Sequence, residues 1–395
     1  NTGEIKREFV DNGKIYRPPD VGDLYYLLAQ KDEVLRYIDE KAIGTQEGDA
    51  RLYEELYKYH KSISDLPHEL YYDFLVLWDI HTYFLDRLHF SPMLYLYAVK
   101  ERGKSRTAKG CLFVSRRGLL TETIREADLI RWGNDHRAVI GFDVKDFPKK
   151  IFRANCDDLI LSRFEKGAIA SRTLFPERGA FKDTKVFKVF GATIIATNRP
   201  VDDILESRAI SIDMKPSFKE YENEVKPEDG LDLKNKLTTF EFAHKDTELI
   251  KINKPASGRL GDILNSLQTI MITFFPHKKK NFEALAKLII NKKKEESLDT
   301  FEAQVVEAVL KAEKMVDKGF ADVDTITSLF NEGKGDKFSV DVRTIGKILR
   351  GLGFSPRKSP AGDKRGIYYD PDLVKNIALQ YGIAPLSQTT SEMSE

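Results

Sequence analysis

The sequence predicts an α/β protein, because short buried strands alternate with helical segments and polar residues follow the strands. The clearest strands are the largely apolar runs 93–97, 137–143 and 192–198. The first run leads into Gly-Lys-Ser, the second ends in Asp143 and the third ends in Asn198. Polar groups gathered at the carboxyl ends of strands are typical of an α/β nucleotide-binding domain.

Composition limits the class of protein. The chain has 395 residues, of which 41% are hydrophobic and 32% charged, with a formal net charge of +1. That length allows roughly two or three domains. No apolar run is long enough to cross a bilayer, so we expect a cytoplasmic protein without a membrane partner. Cys111 and Cys156 stand in unrelated contexts, which argues against a disulfide framework or a zinc site.

Residues 1–90 are expected to form an N-terminal helical region. Apolar residues recur at helical spacing in 23–38, 49–59 and 67–88, and Pro67 shortly after Asp65 is typical of a helix start. His68, His81 and His89 lack metal-ligand spacing with other ligand types, and we interpret them as incidental. Residue 1 is Asn rather than Met, so we expect the chain to be part of a longer one.

A phosphate-binding loop is predicted at 97–107, which reads Tyr-Ala-Val-Lys-Glu-Arg-Gly-Lys-Ser-Arg-Thr. In such a loop, backbone N–H groups at a helix N-terminus hold phosphate oxygens, Lys104 reaches the outer phosphates, and the Ser105 hydroxyl can bind Mg²⁺. The predicted nucleotide contacts are Gly103, Lys104, Ser105, Arg106 and Thr107. A plain turn is the alternative, since the full pattern has glycine where this chain has Ala98.

Two strand ends are candidates for the rest of this site. A carboxylate at Asp143 could complete the Mg²⁺ shell together with Ser105, and Asn198 could orient a water near the terminal phosphate. A strand that simply ends in a polar residue is the alternative interpretation of Asp143. The loop and the two strand ends together predict a site for a nucleotide and Mg²⁺.

The segments between and after these strands carry further expectations. Residues 119–130 are predicted to form an amphipathic helix, and 185–190 a strand that follows a basic turn. Arg178, Lys182 and Lys185 could contact a nucleic-acid backbone, or they could belong to a solvent-exposed strand face. Residues 216–250 are expected to be loop-rich, and helices are expected at 258–275, 282–294 and 300–318. The whole stretch 216–320 is predicted to be a helical lid and connector.

The C-terminal segment 321–385 is predicted to be a winged helix, with helices at 325–330 and 342–352 and a strand at 367–369. Nine Lys or Arg stand against three Asp between 334 and 369. This charge suits DNA, and the expected contacts are Lys347, Arg350, Arg357, Lys358, Lys364 and Arg365. A winged helix that binds protein is the alternative. Residues 386–395 have the composition of a disordered tail.

Taken together, these segments resemble the AAA+-type ATPases of plasmids, phages and integrated elements, which are often fused behind a primase-polymerase and used as replicative helicases. The resemblance covers about residues 67–382 and depends on the order of its motifs. These are Leu-Pro-His-Glu-Leu-Tyr, Gly-Lys-Ser-Arg-Thr, the two strand ends, Glu-Ser-Arg-Ala-Ile, Gly-Arg-Leu and the winged helix. The resemblance implies a P-loop AAA+-like ATPase core over 91–215, with the helical region, lid and winged helix around it.

The resemblance also implies roles for single residues. By this resemblance, Lys104 and Ser105 correspond to the Walker A pair, and Asp143 corresponds to the Walker B aspartate. Asn198 corresponds to sensor 1 and Arg259 to sensor 2. Arg208 looks like an arginine finger that acts on the neighbouring subunit and stabilises charge on the transferred phosphoryl group. A finger supplied by a neighbour requires an oligomer, expected here as a hexameric ring on DNA.

One departure from the family pattern concerns hydrolysis. The family has Asp-Glu at the end of the Walker B strand, whereas Asp143 is followed here by Val144, and Asp146 is the candidate replacement carboxylate. The expected function is an ATP-dependent DNA helicase or translocase in the replication of a mobile element. The alternatives are a DNA-binding initiator that hydrolyses ATP weakly or not at all, and an AAA+ loader that acts on protein partners.

Overall fold

The computed structural model divides the chain into two units, Asn1–Lys287 and Leu288–Glu395. It describes residues 9–11, 14–16, 28–99, 102–174, 177, 179, 182–216, 219, 221, 223–298, 300–334, 339–359 and 364–383. Arg178 and the predicted tail 386–395 lie outside the described residues. None of the described helices is both long and apolar enough to cross a bilayer.

The first unit opens with a strand pair and three helices. These are β1 (Phe9–Asp11), β2 (Lys14–Tyr16), α1 (Lys31–Asp39), α2 (Gln46–Ile63) and α3 (Leu70–His81). Helix α2 begins after Thr45, whose side chain accepts a hydrogen bond from the Gly48 N–H and so satisfies one of the free donors of the first turn. Every residue of α3 after Leu70 is buried, so its aromatic side chains are core residues.

A five-stranded sheet with its connecting helices follows. Its elements, in chain order, are β3 (Met93–Tyr97), α4 (Lys104–Val114), β4 (Gly118–Thr121), α5 (Glu126–Asn134), β5 (Val139–Asp143), α6 (Phe147–Arg153), α7 (Asp157–Leu161), β6 (Ile169–Thr173), β7 (Thr184–Lys188), β8 (Thr193–Thr197), α8 (Asp203–Glu206) and β9 (Ala209–Asp213). The strands β6 and β7 pair only with each other, as an antiparallel hairpin. The predicted strands at 93–97, 137–143 and 192–198 are confirmed.

The sheet is entirely parallel, in the order β4-β5-β8-β3-β9. The central strand β8 is buried at every position, which is the pattern of a parallel sheet covered on both faces. The predicted α/β class with buried strands is therefore confirmed.

The order of the strands creates one switch point. The chain leaves β3 through α4 and crosses to β4 at one edge, whereas it leaves β8 and crosses in the opposite direction to β9. The adjacent strands β3 and β8 are paired through Tyr97 and Thr197 at their carboxyl ends. In open α/β sheets, ligands bind in the crevice outside the carboxyl ends of strands at such a point.

A buried arginine links the segments at the amino-terminal ends of the strands, opposite the carboxyl ends. Arg163 is 1% exposed and its guanidinium donates to the carbonyl oxygens of Ala138 (2.9 Å), Val189 (3.1 Å) and Ala192 (2.8 Å). It also donates to Thr193 Oγ1 at 2.8 Å. One side chain therefore joins the segments that enter β5 and β8.

Two predictions for the first unit are wrong. The helix predicted at 119–130 is β4 followed by a loop and α5, because residues 118–121 pair with β5. The stretch 216–250, predicted to be loop-rich, contains α9 (Leu231–Ala243), which buries Leu233, Leu237 and Phe240. Its buried face also includes Lys234 and Asn235, so the apolar spacing that signals a helix is interrupted.

Helices continue from the first unit into the second. They are α10 (Gly258–Phe274), α11 (Lys279–Leu298) and α12 (Phe301–Ala312), so the helix predicted over 300–318 ends earlier than expected. The rest of the second unit consists of β10 (Phe320–Asp322), α13 (Val323–Asn331), α14 (Val342–Gly351), β11 (Arg357–Lys358), β12 (Arg365–Tyr368) and α15 (Pro371–Gln380). Its antiparallel sheet has the order β10-β12-β11. Buried residues of α12, α13, α14, β12 and α15 form a separate apolar core.

Candidate functional site

The loop before α4 lies at the carboxyl end of β3. Gly103 has a φ of 76°, in the left-handed region, and precedes the first helical residue, Lys104. A Cβ at Gly103 would lie 3.9 Å from its nearest neighbour, a methyl carbon of Met214, so the backbone conformation and not a lack of space requires glycine. The free N–H groups of the first turn of α4 therefore lie at the edge of the sheet where ligands bind.

Lys104 lies over this loop. Its Nζ donates to the carbonyl oxygen of Val99 at 2.9 Å. Burial lowers the pKa of Lys104, and the negative charge of Asp143 acts in the opposite direction. The carboxylate of Asp143, the last residue of β5, therefore favours the charged form of Lys104. Strand β8 separates β5 from β3, which places the two strands about 10 Å apart.

The strand ends also carry the other residues predicted for the site. Asn198 follows β8, and its Oδ1 is buried without a hydrogen-bond partner among the described residues. Such an atom needs a partner from a ligand or water. Ser105 lies half-buried in the first turn of α4. The carboxyl edge of one sheet thus carries four of the predicted site residues, namely Lys104, Ser105, Asp143 and Asn198.

Thr197, the last residue of β8, forms hydrogen bonds with the segment that follows Asp143. The Thr197 hydroxyl donates to the carbonyl oxygen of Lys145 at 3.2 Å and accepts from the N–H of Phe147 at 3.4 Å. Val144 is 1% exposed and has no polar group to offer, whereas Asp146 is half-buried at the start of α6. Thr197 was not among the residues predicted for the site, although a hydroxyl directly before Asn198 at a strand end was a usable signal.

The side chains of Arg106 and Thr107 point away from the loop. Thr107 is fully buried, and its hydroxyl contacts the Gly103 carbonyl oxygen (3.1 Å) and Ser64 Oγ (2.9 Å). Arg106 donates to the Ile63 carbonyl oxygen at 2.8 Å, and its guanidinium lies 4.3 Å from the centre of the Tyr221 ring. These two side chains support the start of α4, and they do not face the position expected for phosphates.

Arg208 and Arg259 lie together at the opposite edge of the sheet. The carbonyl oxygen of Arg208 accepts from the N–H of Met93, the first residue of β3, at 3.1 Å. Arg259 Nη1 donates to Ser207 Oγ at 3.0 Å. Burial lowers the pKa of Arg208, and the nearby charge of Arg259 lowers it further. The length of β3, about 16 Å, separates this pair from Lys104 in the same chain.

The basic residues predicted to contact DNA are exposed wherever the structure describes them. Lys182 lies in the turn before β7, and Lys185 lies on β7 with its ammonium 5.1 Å from the centre of the Phe187 ring. In the second unit, α14 buries Ile345 and Leu349 toward the core. The basic residues predicted for this unit are each exposed to solvent, namely Lys347, Arg350, Arg357, Lys358, Lys364 and Arg365.

Comparisons with known proteins add a distant likeness. No protein-family model matches the chain, and no curated protein matches it. It is similar to a solved structure described as the A form apo structure of the NrS-1 C-terminal region, CTR(305–718). The sequence identity is 14%, the TM-score is 0.34, and the likeness covers 92% of this chain and 82% of that chain. A likeness at this level carries no argument about function.

Proposed function

We propose that the chain is an ATP-dependent DNA helicase or translocase that works as a ring, expected to be a hexamer, in the replication of a mobile genetic element. The observation that carries the proposal is that Gly103-Lys104-Ser105, Asp143 and Asn198 all lie at the carboxyl edge of one sheet, beside its switch point. In this proposal, the core is a P-loop AAA+-like domain over 91–215, and 321–385 is a winged helix. A primase-polymerase could precede the core in a longer chain.

The residues at the carboxyl edge fit magnesium and a nucleotide. The N–H groups after Gly103 and the Lys104 ammonium would hold the phosphates, and the Ser105 hydroxyl and the Asp143 carboxylate would hold Mg²⁺. Magnesium would neutralise charge on the phosphate oxygens. The buried Oδ1 of Asn198 would accept a hydrogen bond from a water beside the terminal phosphate, and Asp146 is the carboxylate proposed to polarise that water.

Arg208 and Arg259 are proposed to act on the site of a neighbouring subunit. Both lie at the amino-terminal edge of the sheet, so they cannot reach the nucleotide held by Lys104 of their own chain. A ring in which this edge faces the carboxyl edge of the next subunit would complete each site. DNA is proposed to contact the exposed lysines of the β6–β7 hairpin and the exposed basic residues of the second unit.

Steady-state ATP hydrolysis, measured with and without single-stranded DNA, tests the proposal. We expect Lys104→Ala to abolish turnover, and Lys109→Ala, at an exposed position of the same helix, to leave it unchanged. Arg208→Ala should abolish turnover while a fluorescent ATP analogue still binds, and Arg51→Ala serves as its exposed control. Normal turnover by the Lys104→Ala variant would refute the nucleotide site, and normal turnover by Arg208→Ala would refute the shared site.

A second candidate is a DNA-binding initiator that hydrolyses ATP weakly or not at all. The buried Val144, at the position where the resembled family has glutamate, favours it. In that case the protein would bind ATP and DNA, but turnover would stay near background with DNA present. A loader that acts on protein partners is the third candidate, and it would lack the steep salt dependence that phosphate contacts give to DNA affinity.

A further inference from the structure

Helix α6 presents an aromatic side chain to solvent beside the proposed nucleotide edge. Phe152 is 79% exposed, which is the highest exposure of any large apolar side chain that the structure describes. The same helix buries Phe147 (0% exposed) and Ile151 (4% exposed), which lie one turn apart and attach it to the core. Because those two residues already fix the helix, Phe152 is not needed for packing within the unit.

Three cations lie on the same short helix as Phe152. Lys149 lies three residues before Phe152 and four before Arg153, so these side chains share one face of α6, with Lys150 beside it. All three basic residues are exposed. Lys150 Nζ donates to the Glu122 carbonyl oxygen at 3.4 Å, and none of the three forms an ion pair within 4.0 Å with a described residue. The face therefore combines an accessible ring with positive charge that described carboxylates do not neutralise.

This face is joined to the nucleotide edge through a short path. Asp143 ends β5, and α6 begins four residues later. The hydroxyl of Thr197 contacts the backbone of Lys145 and Phe147, and the next residue is Asn198 with its unpartnered Oδ1. A displacement of the end of β8 would therefore be passed to the start of α6 through the hydrogen bonds of the Thr197 hydroxyl.

We propose that Lys149, Phe152 and Arg153 form a binding face for single-stranded DNA, with a base stacked on the Phe152 ring and backbone phosphates on the cations. The inference rests on the proposed function and names one DNA contact for it. Single-stranded nucleic acid fits this chemistry because its bases are free to stack on an aromatic ring while basic side chains follow its backbone. The centre of a protein interface fits less well, because lysine is depleted there.

Fluorescence titration with an oligo(dT) of about 20 nucleotides tests the stacking. We expect Phe152→Ala to weaken binding about 5- to 150-fold, the range that corresponds to one stacked base. Phe152→Trp should bind at least as tightly as the native protein, and its added tryptophan emission should be quenched by the DNA. Phe242, which is 52% exposed on α9, gives the matched controls. Phe242→Ala should retain native affinity, and the emission of Phe242→Trp should not change.

The cations are tested through salt dependence. Lys149→Gln should reduce the slope of log affinity against log salt concentration by about 0.7, the value for one phosphate contact on a single strand. Unchanged affinity of Phe152→Ala would overturn the inference. A second outcome would also overturn it. If Phe152→Ala lost affinity for DNA and sedimentation showed that its oligomer had dissociated, the face would be a contact between subunits.

The same titration separates this inference from the proposed function. If the native protein bound no oligo(dT), the DNA part of the proposed function would fail together with the inference. If the native protein bound DNA and hydrolysed ATP while Phe152→Ala matched it in affinity, only the inference would fail.

Discussion

Gly103 is the residue whose backbone conformation determines the loop before α4. Its φ of 76° costs an alanine about 1–2 kcal/mol, although there is room for the added methyl group. We expect Gly103→Ala to shift the loop and weaken ATP binding about tenfold, since tenfold corresponds to about 1.4 kcal/mol. Titration of a fluorescent ATP analogue measures this. Gly346→Ala, at an open position of α14, is the control and should bind as the native protein does. Native affinity of Gly103→Ala would contradict the expectation.

His81 makes stability depend on pH. It is fully buried, its Nδ1 donates to the Trp78 carbonyl oxygen, and its Nε2 lies 3.0 Å from Ser91 Oγ. Burial lowers the pKa of His81 to about 4. The unfolded chain binds this proton below about pH 6.5 and the folded chain only below about 4, so stability is lost as pH falls between these values. The loss reaches up to about 3 kcal/mol.

His81→Gln isolates this contribution. Urea unfolding between about pH 7 and 5 should show that the variant loses less stability on acidification than the native protein does. Burial raises the pKa of neighbouring Asp79 to about 6, which acts in the opposite direction over the same range. That effect is present in both proteins, so their difference reports His81. Parallel pH profiles for the two proteins would show that the histidine is not the cause.

At the level of elements, the strands of the proposed site were predictable because each is a largely apolar run, and a polar residue closes both β5 and β8. The strand β4 was not predictable in this way, because its four residues lie close in sequence to the apolar residues of α5. Together, the apolar residues of β4 and α5 have the spacing of a single helix. Helix α9 was missed because Lys234 and Asn235 face inward, and Asn235 Oδ1 accepts from the N–H of Gln30 at 2.7 Å. A partner distant in sequence gave no local signal.

The candidate site likewise contains residues whose positions were predictable from the sequence and residues whose positions were not. The residues at the carboxyl edge follow from the positions of strand ends in a parallel sheet, and so does the place of Arg208 before β9. The contact of Arg259 with Ser207 joins residues that are 52 positions apart, so no local pattern announces it. The outward direction of the Arg106 side chain likewise depends on Ile63 and Tyr221, which lie far from it in sequence.

The amino-terminal edge of the sheet depends on Arg163. Its removal would leave the buried carbonyl oxygens of Ala138 and Val189 without this donor, whereas that of Ala192 would keep the Ile140 N–H, and each unpaired buried group costs about 1–3 kcal/mol. We therefore expect Arg163→Met to lower the free energy of unfolding by about 3 kcal/mol or more. Urea denaturation measures the change, with Arg131→Met at an exposed position of α5 as the control. A loss below about 1 kcal/mol would mean that these carbonyls find other partners.

At the scale of the whole molecule, the two groups of charged residues lie at opposite edges of one sheet. Lys104 and Asp143 lie at the carboxyl edge, whereas Arg208 and Arg259 lie at the amino-terminal edge. Under the proposed function, a complete site needs the carboxyl edge of one copy and the amino-terminal edge of the next. Such a head-to-tail contact closes into a ring when its rotation allows.

Mixing two inactive variants tests this arrangement. In a ring assembled from equal amounts of Lys104→Ala and Arg208→Ala subunits, an Arg208→Ala copy still supplies Lys104 and a Lys104→Ala neighbour still supplies Arg208. About a quarter of randomly assembled interfaces would then be complete. We therefore expect the mixture to hydrolyse ATP although neither variant does so alone, after the subunits have been dissociated and reassembled together. Mixing Lys104→Ala with a Lys104→Ala,Arg208→Ala double variant is the control, because no complete site can form. If neither mixture hydrolysed ATP, the arginines would not belong to a site shared between subunits, even if each single variant were inactive.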